Sequence, residues 1–495
     1  MSLRFFNTLG RMVQDFMPVT KGRVGFYGCG PTVYNYAHIG NLRAYVFLDT
    51  LDRTFTFLGW QKTHVMNITD IGHLSGDNDD GEDKMVHTAR ERGQSVLEIA
   101  RVYTDAFFAD SDRLNILRPD VVCKATEHVP EMIDLIRRLE DRGHTYRSGG
   151  NLYYDVGTFP DYGKLAGLNL DDLKAGARID VDANKRNPAD FALWFTKSKF
   201  ENQALVWDSP WGTGYPGWHI ECSAMSMKYL GEHFDIHTGG IDHIPVHHTN
   251  EIAQSEGATG KKWVNYWLHN EFLVIPKDRD SGKDGAGKMS KSAGNFLTLQ
   301  ALIDSGYDPL DYRFFLLGAH YRSQIAFSWD AMDSARNARR ALVQRLSRLI
   351  TQMPGSSERA DRCAPFLTDF REALENDLAM PRALSVLQAA LRDRDLSPGE
   401  KLSLASRMDD VLGLDLLRSA RAEAEKKHSP AEVSVGAGGG VESAPGNAQI
   451  DVLVAERNAA KKAKNYARAD EIRVILREQG IVLEDTPSGT LWHRE

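Results

Sequence analysis

Two mostly apolar stretches near the start of the chain have the length and pattern of short β-strands. They lie at residues 23–27 (RVGFY) and 60–68 (WQKTHVMNI). A tight turn at residues 28–31 (GCGP) follows the first stretch and leads into a helical pattern from about Asn41. Strands that alternate with helices predict an α/β fold with a doubly wound parallel sheet. Ligands of such sheets bind beyond the carboxyl ends of the strands, so the loop at residues 28–40 is predicted to lie where a nucleotide binds.

Helical periodicity dominates the second half of the chain. From about Ser334, leucines fall on one helical stripe surrounded by arginines: Leu342, Leu346 and Leu349, with Arg336, Arg339, Arg340, Arg345 and Arg348 around them. We therefore expect a helical bundle at residues 331–428. Residues 429–449 are rich in Gly, Ala, Ser and Pro and predict a flexible linker. Residues 450–495 predict a small domain with helical periodicity to about Gln479 and a strand at residues 481–483.

Composition narrows the function classes. The chain has 495 residues, enough for about three domains, and a net charge of −8 from 60 Lys and Arg against 68 Asp and Glu. This balance excludes a uniformly basic nucleic-acid-binding surface but permits a local basic stripe. Four scattered cysteines indicate reduced thiols rather than disulfides: Cys29, Cys123, Cys222 and Cys363.

The apolar runs also bear on location. No run approaches the 18 or more apolar residues of a membrane helix, so we expect no membrane contact and a cytoplasmic location. A short organellar presequence that contains Arg4 and Arg11 is the alternative.

Three loops imitate known ligand-binding patterns. Residues 71–84 are acidic but lack the glycine and glutamate positions of an EF-hand, so they predict a solvated loop. Residues 212–217 (GTGYPG) match a dinucleotide fingerprint, yet no strand precedes them and Pro216 has no N–H to donate. Residues 282–288 (GKDGAGK) resemble a P-loop, but Met289 stands where a hydroxyl must reach magnesium.

Two further segments carry phosphate chemistry. Residues 288–292 (KMSKS) place Lys288 and Lys291 three apart in a loop, where their ammonium groups suit a phosphate chain. Residues 38–41 (HIGN) open the first helix, whose N-terminus favours anions. Together the segments resemble the HIGH and KMSKS signatures of class I aminoacyl-tRNA synthetases. The resemblance implies that ATP binds between them and that a carboxylate attacks its α-phosphate to form an aminoacyl-adenylate.

A mixed set of sulfur, nitrogen and oxygen ligands suits zinc: Cys29, Cys222, His247 and Glu251. On one helix, the four-residue spacing of His247 and Glu251 places them on the same face. Spacing alone does not select this set, because His243 and His247 match it equally well. Further histidines lie nearby at His233, His237 and His248.

Longer motifs resemble cysteinyl-tRNA synthetases over nearly the whole chain. They are GYPGWHIECSAM, FDIHTGGIDHIPVHHTNEIAQSE, NITDI, LNILRPD, KRNPADFALW and HYRSQ. The resemblance implies that Cys29, Cys222, His247 and Glu251 hold one zinc per chain. It implies that zinc accepts the substrate thiol as a thiolate, whereas serine is a poorer ligand, so that a separate editing site is unnecessary.

The resemblance also implies roles for other residues. The cysteine site would contain Cys29, Gly30, Thr69 and Trp218. The ATP site would contain His38, Gly40, Asn41, Gly240, Asp242 and Lys291, with Mg²⁺ on the phosphates, and His38, Asn41, Lys288 and Lys291 would be catalytic. Two positions depart from the family pattern: Asn41 ends the HIGH signature, and Thr249 replaces an acidic residue.

The resemblance implies a domain order as well. A Rossmann-like catalytic domain would comprise residues 1–118 and 206–275, with an inserted domain at 119–205. The lysine loop and a stem-contact region would follow at 276–330, before the bundle, the linker and an anticodon-binding domain at 450–495. The expected partners are L-cysteine, ATP and tRNA(Cys), and the expected state is a monomer.

A basic stripe marks the C-terminal domain. At 100° per residue, Arg457, Lys461, Lys464 and Arg468 fall within about 60° of one helix face. Such a stripe is usually a solvated face, but on a synthetase-like body we expect it to contact tRNA. Two rival functions are a ligase that joins cysteine to an aminosugar amine and a non-catalytic zinc protein that binds RNA.

Overall fold

The computed structural model describes most of the chain, in two compact units at residues 1–428 and 429–495. The described residues are 2–71, 88–89, 92–167, 184–197, 205–276, 287–288, 296–352, 360–428, 447–462, 466–478, 481–486 and 489–494. None of the described helices is both long and apolar enough to cross a membrane.

The described strands are short, and most of them belong to the first unit. They are β1 (Arg4–Asn7), β2 (Met12–Asp15), β3 (Arg23–Gly28), β4 (Gln61–Ile68), β5 (Val121–Lys124), β6 (Thr145–Ser148), β7 (Asn151–Tyr154), β8 (Phe191–Phe195), β9 (Tyr215–Pro216), β10 (Phe234–Gly240), β11 (Val264–Asn270), β12 (Leu273–Ile275), β13 (Gly287–Lys288), β14 (Ile325–Ala326), β15 (Ile481–Thr486) and β16 (Gly489–Arg494).

The described α-helices alternate with the strands and then follow one another. They are α1 (Ile39–Phe57), α2 (Val96–Arg113), α3 (Val129–Asp141), α4 (Trp218–Leu230), α5 (His247–Thr259), α6 (Leu299–Asp304), α7 (Pro309–Leu317), α8 (Trp329–Thr351), α9 (Ala360–Glu375), α10 (Met380–Arg392), α11 (Pro398–Leu412), α12 (Leu416–His428), α13 (Asn447–Lys462) and α14 (Tyr466–Glu478).

A five-stranded sheet forms the centre of the first unit. Its order is β11-β10-β3-β4-β5, and every neighbouring pair is parallel. The two predicted strands are β3 and β4, and the predicted helix between them is α1, which begins at Ile39 rather than Asn41. The α/β prediction with a parallel sheet is therefore confirmed.

A smaller antiparallel sheet lies beside the main one. Its order is β6-β7-β8-β9, with strands drawn from residues 145–216. We expected the insertion to begin at residue 119 and end at 205, but β5 pairs with β4 in the central sheet and β9 pairs with β8 in the small one. The 212–217 motif contains β9 and ends directly after it at Gly217, where a Cβ would lie 2.1 Å from the carbonyl oxygen of Ala192 in β8. Close approach of two strands therefore accounts for this glycine.

The first helix joins the sheet to the helical bundle. Fourteen of the nineteen residues of α1 are buried, because one apolar core extends from the sheet through α1 to the bundle helices. The predicted stripe is part of this core, with Leu342 and Leu346 buried. Arg313, fully buried in α7, pairs with Asp49 of α1 and donates to the carbonyl of Leu412 at the end of α11 at 2.7 Å.

The second unit is a helical hairpin followed by a β-hairpin. Helices α13 and α14 enclose a small core with β15: Ile450, Val454, Ile472, Leu476 and Ile481. The prediction that Arg457 and Arg468 lie on one face of a single helix is wrong, because Arg468 Nη2 lies 2.8 Å from Glu456 Oε1, twelve residues earlier. One continuous helix would separate those residues by about 18 Å. Helix α13 already begins at Asn447, within the predicted linker, and the rest of the linker lies outside the described residues, as does the acidic segment from residue 72 to 84.

Candidate active site

A cavity of about 500 Å³ opens at the carboxyl edge of the central sheet. Residues that directly follow three strands line it: Cys29 and Gly30 after β3, Asp242 after β10, and Glu271 after β11. The N-terminal turn of α1 contributes His38, Gly40 and Asn41, and Gly240, Trp218 and His247 complete the predicted residues in its wall. In doubly wound sheets, nucleotides generally bind at this edge. The cavity therefore lies where the sequence predicts a nucleotide site.

His38 and Asn41 cap the helix that opens onto the cavity. The backbone N–H of Asn41 donates to His38 Nδ1 at 3.0 Å, and the backbone N–H of His38 donates to Asn41 Oδ1 at 3.3 Å. This reciprocal arrangement is a capping box, in which an asparagine takes the usual place of glutamate or glutamine. Asn41, the residue that departs from the HIGH signature, therefore has a structural role, because its side chain holds the turn that carries His38.

The predicted metal ligands come together at the floor of the cavity. Ligand atoms of Cys29, Cys222, His247 and Glu251 all lie within 4.8 Å of one another. Cys29 follows β3, Cys222 is in α4, and α5 carries the other two. His247 Nε2 lies 2.8 Å from Glu251 Oε1, as their four-residue spacing predicted.

A second set of ligands overlaps the first. Cys29 and Glu251 also lie within 4.8 Å of His237 and His248. The two sets differ in their access to the cavity. His247 lines the cavity, whereas His237 and His248 are fully buried. A metal in the first set would thus be reachable from the cavity. His248 Nε2 lies 3.4 Å from Cys29 Sγ, and its Nδ1 lies 2.8 Å from His269 Nε2.

Two histidines that we did not assign from the sequence orient the predicted ligands. His237 Nε2 lies 2.8 Å from Glu251 Oε2, which leaves Oε1 facing the cluster. His219 Nδ1 lies 3.0 Å from His247 Nδ1, which leaves the Nε2 of His247 facing Glu251. Outer partners of this kind commonly fix the ligands of a metal. In the sequence, the only indication of these residues is a histidine within a mostly apolar element: His237 in β10 and His219 in α4.

The charges of the cluster suit a divalent cation. A hydrogen bond from Cys29 lowers the pKa of Cys222 to about 6, although the burial of Cys222 acts in the opposite direction. Burial alone lowers the pKa of His247, but the charges of Glu251 and Cys222 raise it to about 10. Burial opposes ionisation of Glu251, yet His237 and His247 lower its pKa to about 2. The anionic Cys222 and Glu251 thus share the protonated imidazole of His247. A metal ion would replace the proton on that imidazole.

The donor set fits zinc on a second observation. Glu251 Oε1 is buried; His247 Nε2 lies 2.8 Å from it but not in the direction of a hydrogen bond, and no other residue that the structure describes donates to it. A buried carboxylate oxygen without a donor is costly unless a cation supplies the compensation. Two thiols, one imidazole and one carboxylate are ligand types that suit zinc.

The predicted cysteine-binding residues Gly30 and Thr69 belong to one hydrogen-bonded network. The N–H of Gly30 donates to Asn67 Oδ1 at 2.7 Å, and Asn67 Nδ2 donates to Thr69 Oγ1 at 3.0 Å. Thr69 Oγ1 donates in turn to Glu221 Oε2 at 3.1 Å. Gly30 lines the cavity, but Thr69 is not among the residues of its wall. Thr69 therefore supports the wall from behind.

Trp218 and the Gly240 turn form two further parts of the cavity wall. The ring of Trp218 stacks on His247, with centroids 4.3 Å apart and planes 15° apart. At Gly240, a Cβ would lie 2.3 Å from Asp242 Oδ1, so the absence of a side chain lets Asp242 fold back beside the cavity. The wall thus has an aromatic side next to the ligands and an acidic side.

The lysine loop is described only at its ends. The backbone of Lys288 pairs with Val274, the neighbour of cavity residue Leu273, and Lys291 lies outside the described residues. After the loop, the ring of Phe296 lies 5.6 Å from that of His38. The N–H of Ile39 also donates to the carbonyl of Leu297 at 2.8 Å. Both ends of the loop are thus anchored beside the first turn of α1.

The predicted basic stripe differs from the structure. Arg457 is only 4% exposed, because it lies three residues after core residue Val454 and shares its helix face. Arg468 is ion-paired with Glu456 across the hairpin. Lys461 lies in the last turn of α13 without a described side chain, and Lys464 lies outside the described residues. Arg457 is therefore withdrawn as an exposed tRNA contact.

Comparisons with known proteins place these features in a family. Residues 15–337 match the family model for the class I (C) tRNA synthetase catalytic domain. A cysteine–tRNA ligase of Treponema denticola is 56% identical over 516 residues, with 100% of both chains covered. The enzyme of that name from Treponema pallidum strain Nichols is 48% identical over 524 residues, again with 100% of both chains covered.

Solved structures of two other synthetases share the fold. A methionyl-tRNA synthetase of Mycobacterium tuberculosis, in complex with methionyl-adenylate, has a TM-score of 0.53 at 16% identity and covers 82% of this chain and 92% of its own. The LeuRS–tRNA–LeuAMS complex of Agrobacterium radiobacter has a TM-score of 0.54 at 12% identity and covers 83% of this chain and 86% of its own. With relatives that match from end to end, the chain belongs to the cysteine–tRNA ligase family of class I aminoacyl-tRNA synthetases.

Proposed function

We propose that this protein activates L-cysteine with ATP and transfers it to the 3′ end of tRNA(Cys). The observation that carries the proposal is the placement of the Cys29, Cys222, His247 and Glu251 cluster in the same cavity as the His38 turn. A site for a thiol and a site for a nucleotide thus adjoin. Membership of the family supports the same reaction.

Cysteine would bind at the floor of the cavity. Cys29, Cys222, His247 and Glu251 would hold zinc, and a bound zinc would supply a Lewis acid for the substrate thiol. Trp218, stacked on His247, bounds the pocket on one side. The network of Gly30, Asn67 and Thr69 holds another part of the wall in place. A serine hydroxyl would be a weaker partner for this sulfur-containing site, so selection would occur at binding.

ATP would bind along the first turn of α1. A carboxylate oxygen of cysteine would attack the α-phosphorus, forming a C–O–P bond while the bond to pyrophosphate breaks. The helix N-terminus, His38, Lys288 and Lys291 would stabilise the negative charge on the phosphates, with Mg²⁺ carried in by ATP. Gly40, Asn41, Gly240 and Asp242 would complete the nucleotide site in the cavity wall.

The tRNA would contact the C-terminal unit. Lys461, Lys464 and Arg468 remain the proposed phosphate contacts after the removal of Arg457, and a monomer remains the proposed state. Nothing in the relatives favours the aminosugar alternative, since cysteine–tRNA ligases match the chain through its last unit.

Two assays test the proposal. Exchange of labelled pyrophosphate into ATP should depend on cysteine and not on tRNA, since adenylate formation needs only the cavity. Charging of a tRNA(Cys) transcript should then follow. Exchange without charging would favour a different acceptor for cysteine, and the absence of cysteine-dependent exchange would refute the proposed function.

A further inference from the structure

An aromatic side chain at the cavity is left exposed beside the predicted nucleotide site. Tyr36 lines the cavity and is 47% exposed. Among the described aromatic residues of the cavity wall, it alone has an exposed ring. It lies two residues before His38, so their Cα atoms are at most about 7 Å apart.

The ring of Tyr36 is held rather than loose. Its centroid lies 5.1 Å from that of the buried Tyr103 of α2, with the planes at 88°. Its backbone N–H donates to Asn35 Oδ1 at 3.0 Å. Edge-to-face pairs stabilise one ring orientation, so the exposed surface of Tyr36 is already ordered before a ligand binds.

A cation accompanies the pair. The guanidinium carbon of the exposed Arg92 lies 5.3 Å from the ring centroid of Tyr103, within the range of cation–π attraction. Exposed aromatic rings next to an arginine are the usual surface for an unpaired nucleotide, because the ring stacks on the base and the arginine contacts the phosphate.

The proposed reaction identifies the base. In the transfer step, the terminal ribose hydroxyl of tRNA must reach the adenylate between His38 and the cysteine site. The base of that nucleotide is one ribose away from the hydroxyl, so it must lie close to the cavity wall next to His38. We propose that Tyr36, braced by Tyr103, is the platform on which the 3′-terminal adenosine of the tRNA stacks, with Arg92 placed for its phosphate. This inference rests on the proposed function.

The test separates the terminal adenosine from the adenine of ATP. In full-length protein, Tyr36→Leu removes the aromatic face and keeps the apolar bulk, whereas Tyr36→Phe keeps the face. We expect Tyr36→Leu to slow single-turnover transfer from preformed cysteinyl-adenylate about tenfold, in line with base–aromatic stacking. Tyr36→Phe should match the unaltered chain. The exposed Leu97 of the neighbouring α2 provides a control, since Leu97→Ser should alter neither transfer nor exchange.

A second arm uses tRNA that lacks only the terminal adenosine. Tyr36→Leu should weaken binding of complete tRNA and leave the affinity for the shortened tRNA unchanged, because the shortened tRNA lacks the base that would stack on Tyr36. Equal weakening with both RNAs would overturn the proposal. A higher KM for ATP in pyrophosphate exchange would also overturn it, by assigning the ring to ATP. Loss of exchange in the unaltered chain would instead refute the proposed function and not this platform alone.

Discussion

Asn41 and His38 hold each other's backbone at the first turn of α1. Because His38 Nδ1 accepts the N–H of Asn41 at 3.0 Å, a neutral His38 must carry its proton on Nε2. That proton is then available to an anion at the helix N-terminus. The backbone N–H of residue 41 thus fixes the tautomer of the histidine, and the asparagine side chain holds the histidine backbone in place.

Replacing Asn41 should separate these roles. Asn41→Ala removes the acceptor for the His38 N–H, and we expect the free energy of unfolding to fall by about 1 kcal/mol. Misplacement of His38 should lower kcat of pyrophosphate exchange about 10- to 100-fold. Asn41→Gln restores a capping-box acceptor and should recover most of both losses. An Ala variant with unaltered kcat would show that the cap does not position His38.

Gly30 should tolerate no side chain. A Cβ there would lie 1.6 Å from the carbonyl oxygen of Asn67, so the backbone would have to move. We expect Gly30→Ala to cost about 1–3 kcal/mol of unfolding free energy and to raise the KM for cysteine. As a control, a Cβ at Gly157 would meet only the side-chain oxygen of Asp155 at 3.1 Å, so Gly157→Ala should be mild. Equal effects in denaturant unfolding would contradict the close approach.

Local patterns predicted the centre of the fold. The β3–α1–β4 unit follows from short apolar runs around a glycine turn, and the pairing of His247 with Glu251 follows from helical spacing. These signals depend on residues close in sequence. The proposed metal ligands from separate elements, such as Cys29 and Cys222, were predicted from resemblance to a family and not from periodicity.

The rest depends on contacts between distant residues. His237 and His219 reach the ligands only because β10 and α4 pack beside α5. Likewise, β5 belongs to the central sheet because it pairs with β4. No local pattern in the sequence distinguishes β5 from the residues of the insertion. The Glu456–Arg468 pair shows that a periodic helical pattern conceals a turn when both arms keep the same period.

Lys291 should matter to chemistry and not to folding. If its ammonium group stabilises phosphate charge, Lys291→Ala should cost about 2–4 kcal/mol in the adenylate step. Lys291→Arg keeps the charge and should lose less. Pre-steady-state adenylate formation measures the step, and thermal unfolding provides the control. A weaker affinity for cysteine with unaltered adenylation would assign the lysine elsewhere.

Removal of the second unit should affect tRNA alone. The chain divides after His428, and every described residue that lines the cavity precedes that point. Truncation there should therefore preserve cysteine-dependent exchange and lower the rate of charging. The decrease of tRNA affinity with added salt should also become shallower, because phosphate contacts are lost. Charging by the truncated chain at the full rate, with the same salt dependence, would exclude the unit from tRNA binding.

The central claim is that a metal held by Cys29, Cys222, His247 and Glu251 selects cysteine. Its most direct test is zinc content measured beside cysteine- and serine-dependent pyrophosphate exchange in Cys222→Ser. Cys363→Ala is the control, since this thiol lies in α9 and joins neither candidate ligand group. We predict one zinc per unaltered chain, at least about tenfold weaker zinc binding in Cys222→Ser, and a smaller preference for cysteine over serine. Unchanged zinc content together with unchanged preference would contradict the claim.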